Sequence, residues 1–185
     1  MRVQPNHAYT YYDYLTWPDE ERWEIIDGQA YDMSPAPSTK HQQIVVMLAH
    51  LLVEPAAQKG CMLFVAPTDV VLDDHNVVQP DLLLVCDPAK VTEQAVRGAP
   101  DLVAEVLSPG TELKDRRDKR ALYERFGARE YLLVHAAGEY LERYCLHEGH
   151  YGLPELFNWD EPVELRVLDG VQLDLRQVFG RHEEE

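Results

Sequence analysis

Two carboxylates stand at apolar runs in the middle of the chain. Asp81 precedes the run Leu82–Val85, and Glu105 lies inside the run Leu102–Val106. Both runs have the length and the composition of buried strands. Burying an unpaired charge in an apolar interior costs much free energy. Each carboxylate must therefore either be compensated by another group of the protein or bind a ligand.

We interpret the two acids as ligands of a hard cation. Adjacent strands can bring acids that are 24 residues apart to one end of a sheet. Carboxylate oxygens suit Mg²⁺ or Mn²⁺, and such an ion acidifies water and neutralises charge on a phosphate. Lys119, on the next predicted helix, would orient the water or stabilise the reacting phosphorus. Without metal, two close carboxylates repel, and at least one should have a raised pKa.

The same residues allow a second interpretation, in which no metal is bound. Glu105 would then form a buried ion pair with Lys119 or an arginine, and Asp81, which follows Pro80, would only cap a strand. Ion-pair networks also perturb titration. The residues alone therefore leave a metal site and a structural ion pair open.

Two further candidates lie upstream. Glu24 is on strand Trp23–Ile26, the first strand of a hairpin that Asp27-Gly28 predicts. Most glutamates on strands face outward, and that is the simplest expectation for Glu24. His41 lies near the start of an amphipathic helix predicted from about residue 39 to residue 57. A histidine there is more often a hydrogen-bonded residue at the core edge than a ligand.

A basic helix follows the Glu105 strand. The segment Leu113–Arg129 has seven basic and three acidic residues, a net charge of +4 in a chain whose net charge is −16. Thr111 is the predicted cap, and Gly127 is the predicted end. Lys119 shares a face with the apolar residues that anchor the helix, whereas Lys114 lies off that face and is the weaker candidate. Such basic runs are usually solvated, and the overall acidity opposes nucleic-acid binding elsewhere.

Length and composition suit a single soluble domain. The chain has 185 residues, of which 45% are hydrophobic. We expect a cytoplasmic protein, because no secretory signal or run of about 20 apolar residues is visible. The cysteines (Cys61, Cys86 and Cys145) are far apart and include no CxxC pair. We therefore expect no disulfide framework and no cysteine zinc site, in keeping with a reducing compartment.

In their order along the chain, several segments resemble the Uma-two endonuclease family, whose members have the PD-(D/E)XK nuclease fold. The matching segments are RWEIIDG, MSPAPSTKHQQI, PTDVVL, VQPDLLLVCDP, GAPDLVAEVLSP, DRRDKRALYERFGAREYLLV and the closing DGVQLDLRQVF. No one motif is specific, but the ordered combination is. The resemblance implies an α/β (α+β) restriction-endonuclease-like core with a central mixed sheet flanked by helices. We expect one domain, 1–185, with a nuclease-like core at 10–135 and a β-rich C-terminal extension at 136–185.

The resemblance also assigns roles at the site. It implies that Asp81 and Glu105 are metal ligands, that Lys119 is the lysine of the superfamily, and that Glu24 lines the site. One departure stands out. Many nucleases of the superfamily place the lysine two residues after the glutamate, where this chain has Leu107. The cation must then come from the helix.

Three more residues match motif positions and are implied as supporting residues. These are His41, Asp115 and Tyr123. The resemblance gives His41 no agreed role. It implies that Asp115 and Tyr123 orient Lys119, through an i,i+4 pair and through packing.

The predicted function is Mg²⁺- or Mn²⁺-dependent hydrolysis of phosphodiester bonds in nucleic acid, with DNA as the expected substrate and no membrane partner. The basic helix would contact the backbone beside the metal. A homodimer is compatible with this function, because many nucleases of this fold cut two strands with two sites, although the sequence shows no interface. The alternative is a catalytically silent nuclease fold that serves as a binding or regulatory protein. The acidic overall charge and the apolar Leu107 favour that alternative.

Overall fold

The computed structural model describes residues 7–18, 20–33, 36–110 and 112–181. The helices are α1 (Tyr11–Tyr14), α2 (Thr39–Gln58), α3 (Glu112–Lys114), a π-helical turn (Asp115–Lys119), α4 (Arg120–Phe126) and α5 (Leu175–Val178). The first eight strands are β1 (Trp23–Ile26), β2 (Gln29–Asp32), β3 (Met62–Val65), β4 (Val70–Asp73), β5 (Asn76–Val78), β6 (Leu82–Val85), β7 (Val96–Arg97) and β8 (Leu102–Leu107). The last six are β9 (Glu130–His135), β10 (Tyr140–His147), β11 (His150–Tyr151), β12 (Glu155–Asn158), β13 (Pro162–Glu164) and β14 (Gln172–Asp174).

A large mixed sheet forms the centre, in the order β11-β10-β9-β8-β6-β3, with β12 also paired to β10. Strand β8 is antiparallel to β6 and parallel to β9. Leu82 of β6 lies opposite Ala104 of β8, so Asp81 and Glu105 are the next residues along each strand. The expected mixed α/β architecture is confirmed.

Strand alternation decides which face of the large sheet carries the acid. Leu102, Ala104 and Val106 of β8 pack in one core with α2. Val103 and Leu107 pack in a second core on the opposite face. Because successive side chains of a strand point to opposite faces, Glu105 belongs to the second face. That face is covered by α4 and by a smaller sheet.

The smaller sheet has the order β2-β1-β5-β4-β7. Its β1–β2 hairpin turns at Asp27-Gly28 as predicted, with positive φ at both residues. Strand β1 is buried on both faces: Ile26 packs toward the large sheet, and Ile25 packs against the N-terminal aromatic residues. Glu24 shares the face of Ile26 and has no exposed surface. The simple expectation that it faces outward is therefore wrong.

Helix α3, the π-helical turn and α4 form one continuous helical segment, residues 112–126, which we call the lysine helix. Gly127 ends it in the left-handed conformation, with φ 86°. The predicted cap Thr111 lies outside the described residues. Leu122 and Tyr123 are buried in the core between the two sheets, so the lysine helix is fixed against both.

Of the C-terminal strands, β10, β11 and β12 belong to the large sheet, and β13 and β14 pair in a separate two-stranded sheet. Strand β10 pairs with β9 along six residues. Leu141, Val163, Leu173 and Val178 pack in the same core as α2. Among the described residues, none of the helices is both long enough and apolar enough to cross a membrane.

The structure corrects one expectation about the cysteines. Cys61 and Cys86 form a disulfide, with their Cα atoms 3.9 Å apart. Strands β3 and β6 are antiparallel, and Met62 lies opposite Val85, so the two cysteines form the next cross-strand pair. Sequence spacing did not reveal this pairing because 25 residues separate the partners. Cys145 is free.

Candidate functional site

Asp81, Glu105, Lys114 and Lys119 line one cavity of about 110 Å³, which we call the acid cavity. Asp81 immediately precedes β6, Glu105 lies inside β8, and the lysine helix supplies the cations. The structure therefore brings together the three residues on which the sequence interpretation depended. Glu24 lies directly behind the two lysines and is fully buried.

The two acids of the sheet contact each other through the backbone. The Asp81 N–H donates to Glu105 Oε2 at 3.4 Å, and the Val106 N–H donates to Asp81 Oδ2 at 2.8 Å. His41 Nε2 lies 3.0 Å from the same Asp81 oxygen. No described residue hydrogen-bonds Asp81 Oδ1, and the Asp81 side chain is 20% exposed. One oxygen of Asp81 is thus available to a ligand.

Lys119 Nζ is surrounded by carboxylates. It lies 2.7 Å from Glu24 Oε1, 2.9 Å from Glu105 Oε1 and 3.6 Å from Asp115 Oδ1. The predicted i,i+4 pair between Asp115 and Lys119 is present. Tyr123 donates its hydroxyl to Glu105 Oε1 at 3.2 Å, so its hydrogen bond holds the acid, not the lysine.

Lys114 is a second cation at the site, contrary to its ranking in the sequence. Its Nζ donates to Glu24 Oε2 at 2.7 Å. In an α-helix, residues five apart point about 140° away from each other. The π-helical turn between Lys114 and Lys119 replaces that spacing with i→i+5 geometry, which brings residues five apart onto one face. Both ammonium groups therefore reach Glu24.

The surroundings move the pKa values of the two buried glutamates in opposite directions. Burial would raise the pKa of Glu24, but Lys119 and Lys114 outweigh it and lower the pKa. Burial raises the pKa of Glu105 well above its ordinary value, and the charges of Asp115, Asp81 and Glu24 add to the effect of burial against the attraction of Lys119. The positive charge near Glu105 is thus too small to offset the burial of its carboxylate.

Lys119 itself stays protonated. Burial would lower its pKa, but the carboxylates of Glu105, Glu24 and Asp115 raise it well above the ordinary value of a lysine. Burial, together with the charge of Glu105, also raises the pKa of the Tyr123 hydroxyl, which remains a hydrogen-bond donor.

Sequence reasoning missed two polar residues, Arg22 and Gln79, that also line the acid cavity. The Gln79 N–H donates to Glu24 Oε1 at 3.1 Å. Its side-chain carbonyl accepts two hydrogen bonds from Arg22, and its amide donates to Asp69 and to the Tyr14 hydroxyl. Both Arg22 and Gln79 lie inside segments that carried the family resemblance, RWEIIDG and VQPDLLLVCDP. Their position next to Glu24 follows only from the pairing of β1 with β5.

The donor set fits a magnesium or manganese ion that keeps several waters. Among the described residues, no group of three or more His, Cys, Asp or Glu side chains is arranged to hold a metal. Magnesium, however, is often bound by one or two carboxylates together with water and substrate phosphate. Four carboxylates (Asp81, Glu105, Glu24 and Asp115) stand against two ammonium groups and the Arg22 guanidinium, which also lines the cavity. Acid is therefore in excess, and a bound cation would offset it.

Comparison with known proteins supports the same fold. The curated relative slr1290 of Synechocystis sp., described as uncharacterized, is 32% identical over 136 residues, which is 71% of each chain. The crystal structure of a "putative nuclease belonging to DUF820" from Anabaena variabilis covers 93% of this chain and 98% of its own, with a TM-score of 0.77 and 20% identity. That likeness shows the fold. The family profile described as "Uma2: Putative restriction endonuclease" matches residues 11–176, and the chain belongs to this family.

Proposed function

We propose that this protein is a metal-dependent endonuclease that hydrolyses phosphodiester bonds of nucleic acid, with DNA as the expected substrate. One observation carries the proposal: Asp81, Glu105 and Lys119 line one cavity, in which Lys119 Nζ is 2.9 Å from Glu105. A structural ion pair would need only one acid. Here a second carboxylate has a free oxygen and partial exposure.

In this proposal, Asp81 and Glu105 hold Mg²⁺ or Mn²⁺, which supplies an acidified water and neutralises charge on the phosphate. Lys119 keeps its proton and donates to a phosphate oxygen or to the attacking water, so that it stabilises negative charge as the bond breaks. Glu24 positions Lys119 and Lys114 together. His41 fixes the orientation of Asp81 through Oδ2.

Cleavage is the direct test of the proposal. Purified protein is incubated with single- and double-stranded DNA and RNA, with Mg²⁺, with Mn²⁺ and with a chelator. We expect metal-dependent internal cleavage that falls about 100-fold or more in Lys119→Met, the usual effect of removing a group that stabilises a transition state. Lys59→Met, at the exposed end of α2, is the matched control.

Metal binding is measured separately, so that a silent protein can be recognised. At a Mn²⁺ concentration 100 times the dissociation constant, the native state gains about 2.7 kcal/mol. The resulting rise in melting temperature should disappear in Asp81→Asn. Binding of metal and oligonucleotide without cleavage of any substrate would favour the silent binding protein. Absence of both metal binding and cleavage would leave a structural ion pair.

A further inference from the structure

A second cavity adjoins the acid cavity and is larger. It has a volume of about 580 Å³, compared with about 110 Å³ for the acid cavity. We call it the side pocket. Met33, Pro37, His41, Ser108 and Lys114 line both cavities. The five shared residues place the two cavities side by side, so a molecule bound at the acids lies next to the side pocket.

The lining of the side pocket is mainly apolar. Met33, Pro37, Leu107, Ala136 and Ala137 contribute aliphatic surface. Leu107 stands where many nucleases of this fold carry a lysine, and here it forms part of the wall between the core and the pocket. Pockets that are apolar and bear a few polar groups are typical sites for a flat organic group.

An aromatic ring and cations complete the side pocket. Tyr31 contributes its ring, and Lys114 Nζ lies 5.6 Å from the centre of that ring. Lys40, whose Nζ lies 2.9 Å from Glu139, and Asp32 also line the pocket. Lys114 is shared by both cavities, so a positive charge stands where a phosphate would join the group bound in the pocket. Aromatic rings and cations next to an apolar surface are the groups on which proteins stack unpaired bases.

Volume separates the roles of the two cavities. The acid cavity has room for several water molecules, which suits a phosphate with bound water but not the base attached to it. The side pocket is about five times larger. The base of the nucleotide next to the reacting phosphate fits there only if it is not stacked inside a duplex, because a paired base cannot reach a recessed pocket.

The charge of the chain favours the same kind of substrate. A duplex gripped along its backbone requires many lysines and arginines to neutralise its phosphates, whereas this chain has a net charge of −16. Burying one unpaired base supplies binding energy without further cations. Binding through a buried base therefore depends less on an extended basic surface than binding along the backbone of a duplex does.

We propose that the side pocket binds an unpaired nucleobase beside the phosphate held in the acid cavity, so that the substrates are nucleic acids with a single-stranded or extruded nucleotide. This inference rests on the proposed function for the position of the phosphate. It adds the class of substrate and the residues that select it.

The test measures binding and cleavage of matched oligonucleotides. A complete, fluorescently labelled single strand is compared with a series of strands of the same sequence, each of which has one abasic site at a different position. The fully paired duplex is measured as well. Binding is followed by fluorescence anisotropy in Ca²⁺, and cleavage in Mg²⁺ or Mn²⁺. At one position, we expect loss of the base to weaken binding about 10-fold, and the duplex to bind at least as weakly.

Ala137→Trp narrows the side pocket from its exposed rim. We expect this variant to bind complete and abasic strands equally. Ala57→Trp is the matched control, because Ala57 is exposed near the opposite end of α2 from His41. Thermal melting of both variants verifies that they fold. If Ala137→Trp melts below the assay temperature, Ala137→Leu takes its place.

The outcomes separate the two proposals. If neither base removal, nor base pairing, nor Ala137→Trp changes the rate of cleavage, the proposal that the side pocket binds a base is overturned, while the proposed nuclease function stands. A base preference that Ala137→Trp abolishes, in a protein that cleaves nothing, would support the pocket and overturn the proposed function. Equal binding of complete and abasic strands at every position would also overturn the pocket.

Discussion

At the scale of residues, the site has more carboxylates than lysines, and two lysines hold the carboxylates together. Glu24 accepts from both ammonium groups and from a backbone N–H. Glu105 has Lys119 and Tyr123 as its side-chain donors. The two glutamates therefore differ in role: Glu24 fixes the cations, and Glu105 remains the acid with unbalanced charge. This division of roles supports the assignment of Glu105, not Glu24, as a metal ligand.

The contribution of Lys114 can be tested through stability. In Lys114→Met, Glu24 Oε2 loses its ammonium partner while the acid stays buried. An unsatisfied buried charged group costs about 1–3 kcal/mol or more, so we expect a loss of that size in the free energy of unfolding. Urea denaturation measures it. Lys59→Met, at an exposed position, should change stability by less than about 0.5 kcal/mol.

A double-mutant cycle identifies the partner of Lys114. In a Glu24→Gln background the buried charge is gone, so Lys114→Met should cost much less than in the wild type. An equal cost in both backgrounds would contradict the ion pair.

The sequence analysis chose Asp81, Glu105 and Lys119 as its main candidates. It ranked Lys114, the second cation of the cavity, lower for a physical reason. The sequence interpretation assumed that the strands of Asp81 and Glu105 are neighbours, and the pairing of β6 with β8 brings the two acids together. It placed Lys119 by regular helical spacing. Lys114 was placed off the inward face because regular α-helical spacing was assumed. Nothing in the residues 112–126 signals a π-helical turn, which depends on packing against the two sheets.

At the scale of elements, the lysine helix is anchored to the large sheet by a second polar cluster. Arg116 donates to Glu142, and His135 Nε2 lies 3.1 Å from the Arg116 guanidinium and 3.0 Å from the Glu142 carboxylate. Tyr140 stacks on the His135 ring at 3.8 Å. A neutral imidazole accepts from Arg116, whereas a protonated one cannot.

This cluster predicts a dependence of stability on pH. Burial and the charge of Arg116 lower the pKa of His135 from 6.5, although Glu142 and Glu112 oppose the shift. The folded state then binds fewer protons at this residue than the unfolded state does. Its contribution to stability is complete above about pH 6.5 and is lost as the pH falls through the lowered pKa.

Urea denaturation between pH 7.5 and pH 5 measures this effect. We expect His135→Gln to flatten the fall in stability on the acid side of pH 6.5, and His50→Gln, at an exposed position on α2, to leave it unchanged. The same slope in wild type and His135→Gln would show that the cluster does not titrate in this way.

The disulfide joins β3 to β6 at the end of the strand pair opposite to Asp81. A cross-link over 25 residues restricts the unfolded chain and is worth about 3.5 kcal/mol by the chain-entropy estimate. We expect a reducing agent to lower the urea midpoint of the wild type. The variant Cys61→Ser/Cys86→Ser should be less stable and insensitive to reduction, whereas Cys145→Ser should behave like the wild type. A wild type that ignores reduction would contradict the cross-link.

Sequence reasoning also could not predict which strands pair when they are far apart in the sequence. The β1–β2 hairpin was predictable from Asp27-Gly28, since its strands are neighbours in sequence. The pairing of β1 with β5, which carries Glu24 and Gln79 to the site, joins segments about fifty residues apart. Local patterns contain no information on such pairings, and for this reason Glu24 was assigned to the site by family resemblance and not by its spacing.

At the scale of the whole molecule, the site depends on two sheets and the helix between them. The large sheet supplies Asp81 and Glu105, the small sheet supplies Glu24, and the lysine helix is packed against both. Any change that separates the sheets must also separate Glu24 from Asp81 and Glu105. The geometry of the site is therefore tied to global folding, and the acid cavity should not persist in a partly unfolded chain.

We expect the C-terminal strands to unfold together with the rest of the chain, because they pack in the core that contains α2. Leu173 of β14 is 1% exposed and packs in the core that contains α2. Leu173→Ala should cost about 2–5 kcal/mol. In a Trp159→Phe background, the fluorescence of Trp17 and Trp23 reports unfolding of the N-terminal part of the chain. We expect Leu173→Ala to shift that transition to lower urea concentration. Leu153→Ala, at a position 95% exposed, is the control and should leave it in place. A midpoint that does not respond to Leu173→Ala would show that residues 136–185 unfold independently.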